Sequence, residues 1–388
     1  MHILVCSDSF KEALSSQKVC QAIAEGVVMA VPDAEVSLFP LADGGEGLTA
    51  VLQDHLDAQV IATTVTDPLG RPIQASYLWM EADKTALIEM AQAAGLALLK
   101  NEARDPLRAS TYGVGELIAH ALDRGARKIL LGLGGSATTD AGLGMGAALG
   151  LTFLDRQGNV LPPCGESLSQ VARVQAENQH PRVRNCRFIG LCDVDNPLFG
   201  PKGAAVVYGP QKGANEASVA LLDQGLQHIG PVLEDVRSTV FGLCCINNTP
   251  LAQIPGAGAA GGLGAGVLAF LNGELLSGIE AIMDLTGLEK RLPTADLILT
   301  GEGRLDRQTL QGKLIRGITQ KAKLHKKPVI ALCGAVELDL PEIEALGLNA
   351  AFAIGRRPEN LDDAMSQTAD NLRHTASQVM RVWAAQLL

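Results

Sequence analysis

The stretch MHILVCSDSFKEALSSQKVCQAIAEGVVMAVPDAEVSLFP, residues 1–40, decides the fold. An apolar run from His2 to Cys6 gives way to apolar residues at helical spacing from about Ser16 to Ala30, and then to a second run, Glu35 to Phe39. A further helical pattern occupies about Gly47 to His55. Strand, helix, strand, helix in that order calls for a parallel sheet, because a parallel pair needs a crossover and a helix supplies it. Working outward, the rhythm breaks after Val65, where the turn cluster TDPLGRP leads into IQASYLWM and TALIEMA joined by EADK, a pattern expected of antiparallel strands. It returns at ADLILTGEG, Ala295 to Gly303. A helix to about Leu324, the strand PVIALCG, a short helix near Pro341 to Leu346, the strand AAFAIG and a C-terminal helix from about Asn360 follow. The expected class is therefore α/β with two domains. A doubly wound, Rossmann-like or flavodoxin-like domain is split over residues 1–70 and 285–388, and a second α/β domain, 71–284, is inserted. The cleft between two such domains is the default ligand site. The segment from about Asn159 to Thr249 shows no clear rhythm.

Composition excludes several function classes. The 32 Lys and Arg against 42 Asp and Glu leave a net charge of -10, so no basic footprint for nucleic acid exists, and 3% aromatics provide no base-stacking platform. Eight cysteines in 388 residues, mostly within apolar runs, read as buried thiols of a reducing compartment, the vicinal Cys244 and Cys245 included. No CxxC or HExxH pattern marks a zinc site. The apolar start is too short for a signal peptide, and Gly256 to Gly273 is too rich in glycine and alanine for a membrane span, so a cytoplasmic protein is expected.

The 42 glycines exceed the usual share of about 7% and gather in blocks, most of them just after an apolar run. Those blocks are SDSFKEALSS (Ser7 to Ser16), PLADGGEGLT (Pro40 to Thr49), LGLGGSATTDAGLGMG (Leu131 to Gly146), CDVDNPLFGPKGA (Cys192 to Ala204), GAGAAGGLGAG (Gly256 to Gly266) and TGEGRLDRQTLQGK (Thr300 to Lys313). In open α/β sheets, ligands bind where the strand ends open into loops. Glycine lets successive backbone N–H groups converge on an anion, and Ser136, Thr138 and Thr139 add hydroxyls at an expected helix start. The competing reading of such a block is a small-residue helix packed tightly on a neighbour.

Other nucleotide motifs fit less well. Gly132, Gly134 and Ala137 follow a strand-like run with Asp155 some way on, a superficial dinucleotide fingerprint that admits an NAD(P)-dependent hydroxy-acid dehydrogenase as the alternative. Gly312 and Lys313 lack the upstream glycine and following hydroxyl of a P-loop. The acidic residues Asp8, Asp43, Glu46, Asp140, Asp193, Asp195, Glu302 and Asp306 all fall inside the glycine blocks. Converging carboxylates repel unless a cation sits among them, and Mg²⁺ carrying phosphates suits one or two carboxylates. Lys11, Arg304 and Lys313 supply the matching positive charge. The combination suits phosphoryl transfer.

Seven strings in order, SDSFKEALSS, LADGGEG, TALIEMAQAAGL, GLGGSATTDAGLGM, CDVDNPLFGPKGA, GAGAAGGLGAG and TGEGRLDRQTLQGK, resemble the type-1 glycerate kinase family over nearly the whole chain. Glu12 and Thr139 are mild departures, standing where glycine and asparagine are common. The resemblance implies ATP and Mg²⁺ as cofactors, glycerate as substrate and 2-phosphoglycerate as product. On that footing, the loop of Gly134, Gly135 and Ser136, with Gly258, Gly261 and Gly262, is expected to cradle phosphates, assisted by Lys313. Arg304 or Lys11 would clamp the glycerate carboxylate, Asp193 and Glu302 would hold Mg²⁺, and Asp8 or Asp43 would orient the attacking hydroxyl. The partners are then small molecules, with no nucleic acid or membrane. A homo-oligomer stays open, since Leu372, Val379, Met380, Val382 and Trp383 could be core or interface.

Overall fold

The structure is a computed structural model, which describes residues 1–10, 13–41, 48–53, 58–242, 249–311 and 314–385, with backbone alone at 48, 50, 51, 308 and 311. Strands β1 (His2–Ser7) and β2 (Glu35–Pro40) open the chain. They are followed by β3 (Gln59–Thr66), β4 (Pro72–Met80), β5 (Thr85–Glu89), β6 (Lys128–Gly132), β7 (Thr152–Leu154), β8 (Arg173–Gln175), β9 (Arg187–Leu191) and β10 (Glu274–Leu276). The last are β11 (Leu297–Gly301), β12 (Arg304–Leu305), β13 (Val329–Cys333), β14 (Ala335–Val336) and β15 (Ala350–Ala353).

The chain divides into two compact units, Met1–Asp43 with Ile279–Leu388, and Gly44–Gly278. In the first, β15-β13-β11-β1-β2 form a wholly parallel sheet. Numbered within the unit this is the order 2-1-3-4-5 of a flavodoxin-like doubly wound sheet, whose switch point lies between β1 and β11. The strands β1, β11 and β13 are buried throughout, as expected of sheet strands covered on both faces. Helices Ser16–Ala30 and Thr368–Ala385 pack together, placing Val19, Ile23, Val27, Leu372, Ala376 and Met380 against Ile3, Val5 and Leu299. Leu372, Val379 and Met380 are thus core, whereas Val382 is exposed.

In the second unit the sheet order is β10-β9-β6-β5-β4-β3. From β10 to β5 the strands are parallel, and β4 and β3 complete the sheet antiparallel, as the turn clusters suggested. The division of the chain falls elsewhere than the expected residues 70 and 285. Every residue of β3 is paired with β4, from Gln59 opposite Trp79 to Thr66 opposite Pro72, so its ladder commits it to the second sheet. The helix Gly278–Leu285 joins the first unit, where Ile279 and Met283 pack beside Gly317.

Candidate functional site

In the first unit the chemistry gathers at the switch point. Strand β1 ends at Ser7 and β11 at Gly301, so Asp8 and Glu302 are the first residues beyond two neighbouring strands. The Asp8 N–H and the Ser7 hydroxyl both donate to the Gly301 carbonyl, at 3.1 and 2.8 Å, locking the two strand ends together. Asp8 Oδ1 accepts from the Ser9 N–H, and Glu302 Oε1 accepts from the Thr309 hydroxyl at 2.5 Å. Arg304 is exposed, with one guanidinium nitrogen on Glu337 at 2.8 Å and another 3.5 Å from Asp306. Its charge is therefore already shared between two carboxylates. Lys11, Asp43, Glu46 and Lys313, and the Cys244–Cys245 pair, lie outside the described residues.

In the second unit the loop after β6 is held from two sides. Asp140, fully buried, accepts from the Thr111 N–H and hydroxyl, both at 2.8 Å, and from the N–H groups of Gly142 and Gly144 at 3.0 and 3.1 Å. It joins the start of helix Tyr112–Asp123 to the start of helix Leu143–Ala148. Burial pushes its carboxyl up, while the four donors favour the charged form. From the other side comes Lys212, at the end of the short turn Pro210–Lys212 and 2% exposed. Its Nζ donates to Ser136 Oγ at 2.8 Å and to the Thr138 carbonyl at 2.7 Å. Burial pulls its pKa down to about 7, with Asp140 acting in the opposite direction.

Between these anchors, Gly134 and Gly135 are half-buried and Gly135 adopts a positive φ of 68°. Among the described residues, the N–H groups of Gly134, Gly135 and Ser136 donate to no protein acceptor. Buried or half-buried backbone donors are nearly always paired, so a run of three left open at a strand end is suited to an anion. The hydroxyls of Thr138 and Thr139 beneath are buried and also lack a partner among the described residues. At the end of the adjacent β9, Asp193 Oδ1 accepts from the Ser277 hydroxyl and the Gly278 N–H, both at 3.1 Å.

Some expectations need correcting. Gly258, Gly261 and Gly262 do not form an open cradle: all three are buried, with the Gly258 N–H bonded to the Asn196 carbonyl and that of Gly262 to Gly258. A Cβ at Gly261 would stand 2.0 Å from the Thr138 carbonyl oxygen, so glycine here permits the chain to pass directly under the loop after β6. The helix start expected at Ser136 to Thr139 lies at Leu143 instead, so these hydroxyls owe nothing to a helix end. For the same reason the dinucleotide fingerprint dissolves, since no helix opens directly after Gly134. Asp155 closes its own turn through the Gln157 and Asn159 N–H groups, after a strand, β7, that pairs antiparallel with β8 in a separate ribbon. Nothing supports the dehydrogenase.

Two side chains placed at these strand-end loops escaped sequence reasoning. Glu89 ends β5, is 4% exposed, and its Oε2 accepts from the Thr49 hydroxyl at 2.7 Å. A carboxylate closing the apolar run TALIE was the available signal. Lys212 gave none, because YGPQKGA reads as a surface turn. Among the described residues no group of three or more His, Cys, Asp or Glu side chains is placed to hold a metal ion, and no helix is long and apolar enough to cross a membrane.

Comparison with known proteins identifies the family. The family model described as "Glycerate kinase family" matches residues 3–384. A glycerate kinase of Bacillus cereus is 42% identical over 383 residues, covering 99% of this chain and 98% of its own. The glycerate 2-kinase of Escherichia coli K12 is 40% identical over 96% of this chain and 95% of its own. A crystal structure assigned to glycerate kinase 2 of Salmonella typhimurium LT2 superposes with a TM-score of 0.86 at 38% identity, each chain covered in full. With matches that run from end to end in sequence and in fold, this chain belongs to the glycerate kinase family.

Proposed function

We propose that the protein is an ATP-dependent glycerate kinase that transfers the γ-phosphoryl group to the 2-hydroxyl of glycerate, giving 2-phosphoglycerate and ADP. The observation that carries the nucleotide assignment is the run of open N–H groups from Gly134 to Ser136, which would receive phosphate oxygens. The family match and the name of the E. coli relative support the substrate and the position of transfer. Asp8 and Glu302, carboxylates at neighbouring strand ends, are hard oxygen donors of the kind Mg²⁺ takes, and we assign Glu302 to that ion with Asp193 as a second candidate. Bound there, Mg²⁺ would neutralise charge on the phosphate oxygens.

Phosphoryl transfer through a loose transition state asks the protein mainly to position groups and offset charge. Asp8, fixed by the Ser9 N–H, would accept the hydrogen bond of the attacking hydroxyl and orient it. Arg304 would share its guanidinium with the glycerate carboxylate, which must compete with Glu337 and Asp306. Among the described residues the cysteines are buried or half-buried thiols outside any disulfide, which supports a reducing, cytoplasmic setting. The deciding experiment is ADP release with D-glycerate, followed by phosphorus NMR of the product. Signal from the 2-phosphate is the expected result; no ADP release with either enantiomer, or a 3-phosphate product, would overturn the reading.

A further inference from the structure

Lys212 is a buried cation without a direct counter-ion: among the described residues no carboxylate forms an ion pair with it, and its two contacts, Ser136 Oγ and the Thr138 carbonyl, are neutral. Both contacts belong to one loop, reached across 76 residues of sequence. In its ammonium form, which a bound anion favours, Lys212 only donates, so Ser136 Oγ is the acceptor and the serine's own proton must point elsewhere. Among the described residues no protein atom receives that proton. The same serine and the two glycines before it present the open N–H groups. A site with a spare O–H donor, spare N–H donors and a positive charge lacking its counter-ion is complementary to an acceptor-only anion.

We propose that Lys212 is a positioning residue for nucleotide binding: by donating to Ser136 Oγ it turns the serine hydroxyl proton toward a phosphate oxygen seated on Gly134 and Gly135, and by holding the Thr138 carbonyl it keeps that loop in its anion-ready shape. This rests on the loop after β6 being the phosphate site. Asp140 anchors the loop's far end, but its oxygens are committed to Thr111, Gly142 and Gly144, which leaves Lys212 as the group that sets the Ser136 end.

The test uses the full chain with ADP as probe, comparing Lys212→Met, Ser136→Ala and the double variant by calorimetry, steady-state kinetics and thermal melting. Methionine fills the volume without charge, and exchanging a buried ion for an apolar residue is often tolerated by the fold. Each single variant should weaken ADP binding and raise the KM for ATP by about tenfold, with the KM for glycerate changed less than about twofold. The double variant should bind ADP no worse than about the weaker single one, since the serine acts through the lysine. Lys212→Arg, which keeps charge and donors, should recover most of the affinity and serves if the methionine variant does not fold. Normal ADP affinity in Lys212→Met with Ser136→Ala weakened, or effects that multiply in the double variant, would overturn the role of Lys212 alone. Normal affinity in Ser136→Ala would overturn the serine donation and with it the role of Lys212, whereas absence of ADP binding by the wild type would overturn the phosphate-loop assignment itself, since alanine keeps the open N–H groups.

Discussion

Burying Lys212 costs the fold energy at neutral pH, and the sign of that cost is measurable. The amine titrates at about 7 in the folded protein, whereas an unfolded lysine titrates near 10.4. Between those values the unfolded chain holds a proton at this position that the folded chain has released, so stability rises with pH across the window, by at most about 1.4 kcal/mol per pH unit. Below about pH 7 both states are protonated and the penalty is constant. Wild type should therefore gain stability relative to Lys212→Met as pH goes from about 7 to about 9, which urea denaturation of the two proteins at three pH values checks. A difference independent of pH would mean that the lysine stays charged in the fold. At this scale the sequence showed which residue types were available, but not their partners: Ser136 was legible as a donor, while the lysine that takes up its acceptor oxygen sits in an ordinary turn.

Glycine-rich segments look alike in one dimension, yet two of them play opposite parts. The loop after β6 leaves N–H groups open, whereas the helix Ala259–Phe270 is buried along its whole length and uses its glycines to approach that loop from below. The distinction yields a test with an internal control. Gly261 and Gly287 share a φ of 69°, but a Cβ at Gly287 meets nothing within 4 Å, while one at Gly261 lands 2.0 Å from the Thr138 oxygen. Gly287→Ala should cost only the left-handed strain of about 1 to 2 kcal/mol, and Gly261→Ala about 2 to 4 kcal/mol in all. Equal urea midpoints would show that the close approach is not tight. Among the elements, the helix Glu216–Phe241 was the least visible beforehand, since Gly225, Gly230 and Pro231 interrupt its pattern. Its Asn215 cap and the buried Leu222, Leu226, Ile229 and Leu233 hold it in spite of them.

For the whole molecule, both sheets present their candidate groups at the carboxyl ends of parallel strands: Asp8 and Glu302 in one unit, and Glu89, Gly134 to Ser136 and Asp193 in the other. Parallel strands joined by right-handed crossovers all point the same way, so loops far apart in sequence emerge on one edge. Glu302→Gln should lower kcat by about a hundredfold and raise the Mg²⁺ concentration needed for half-maximal rate, read from initial rates over a metal titration. Unchanged metal dependence would give Glu302 a structural role, of which the Thr309 hydrogen bond is one part.

Alternation of apolar runs with helical spacing settled from sequence alone that this is a parallel α/β protein, because each segment's periodicity records which of its own side chains are covered. The order of seven motifs pointed to the family because a fixed succession of residue strings is legible without knowing what each one meets in the fold. Tertiary structure alone decided that β3 belongs to the second sheet, that one glycine block is open and another buried, and that Lys212 meets Ser136. Pairing, close approach and burial depend on what the chain brings back from tens or hundreds of residues away, and no local pattern encodes the partner.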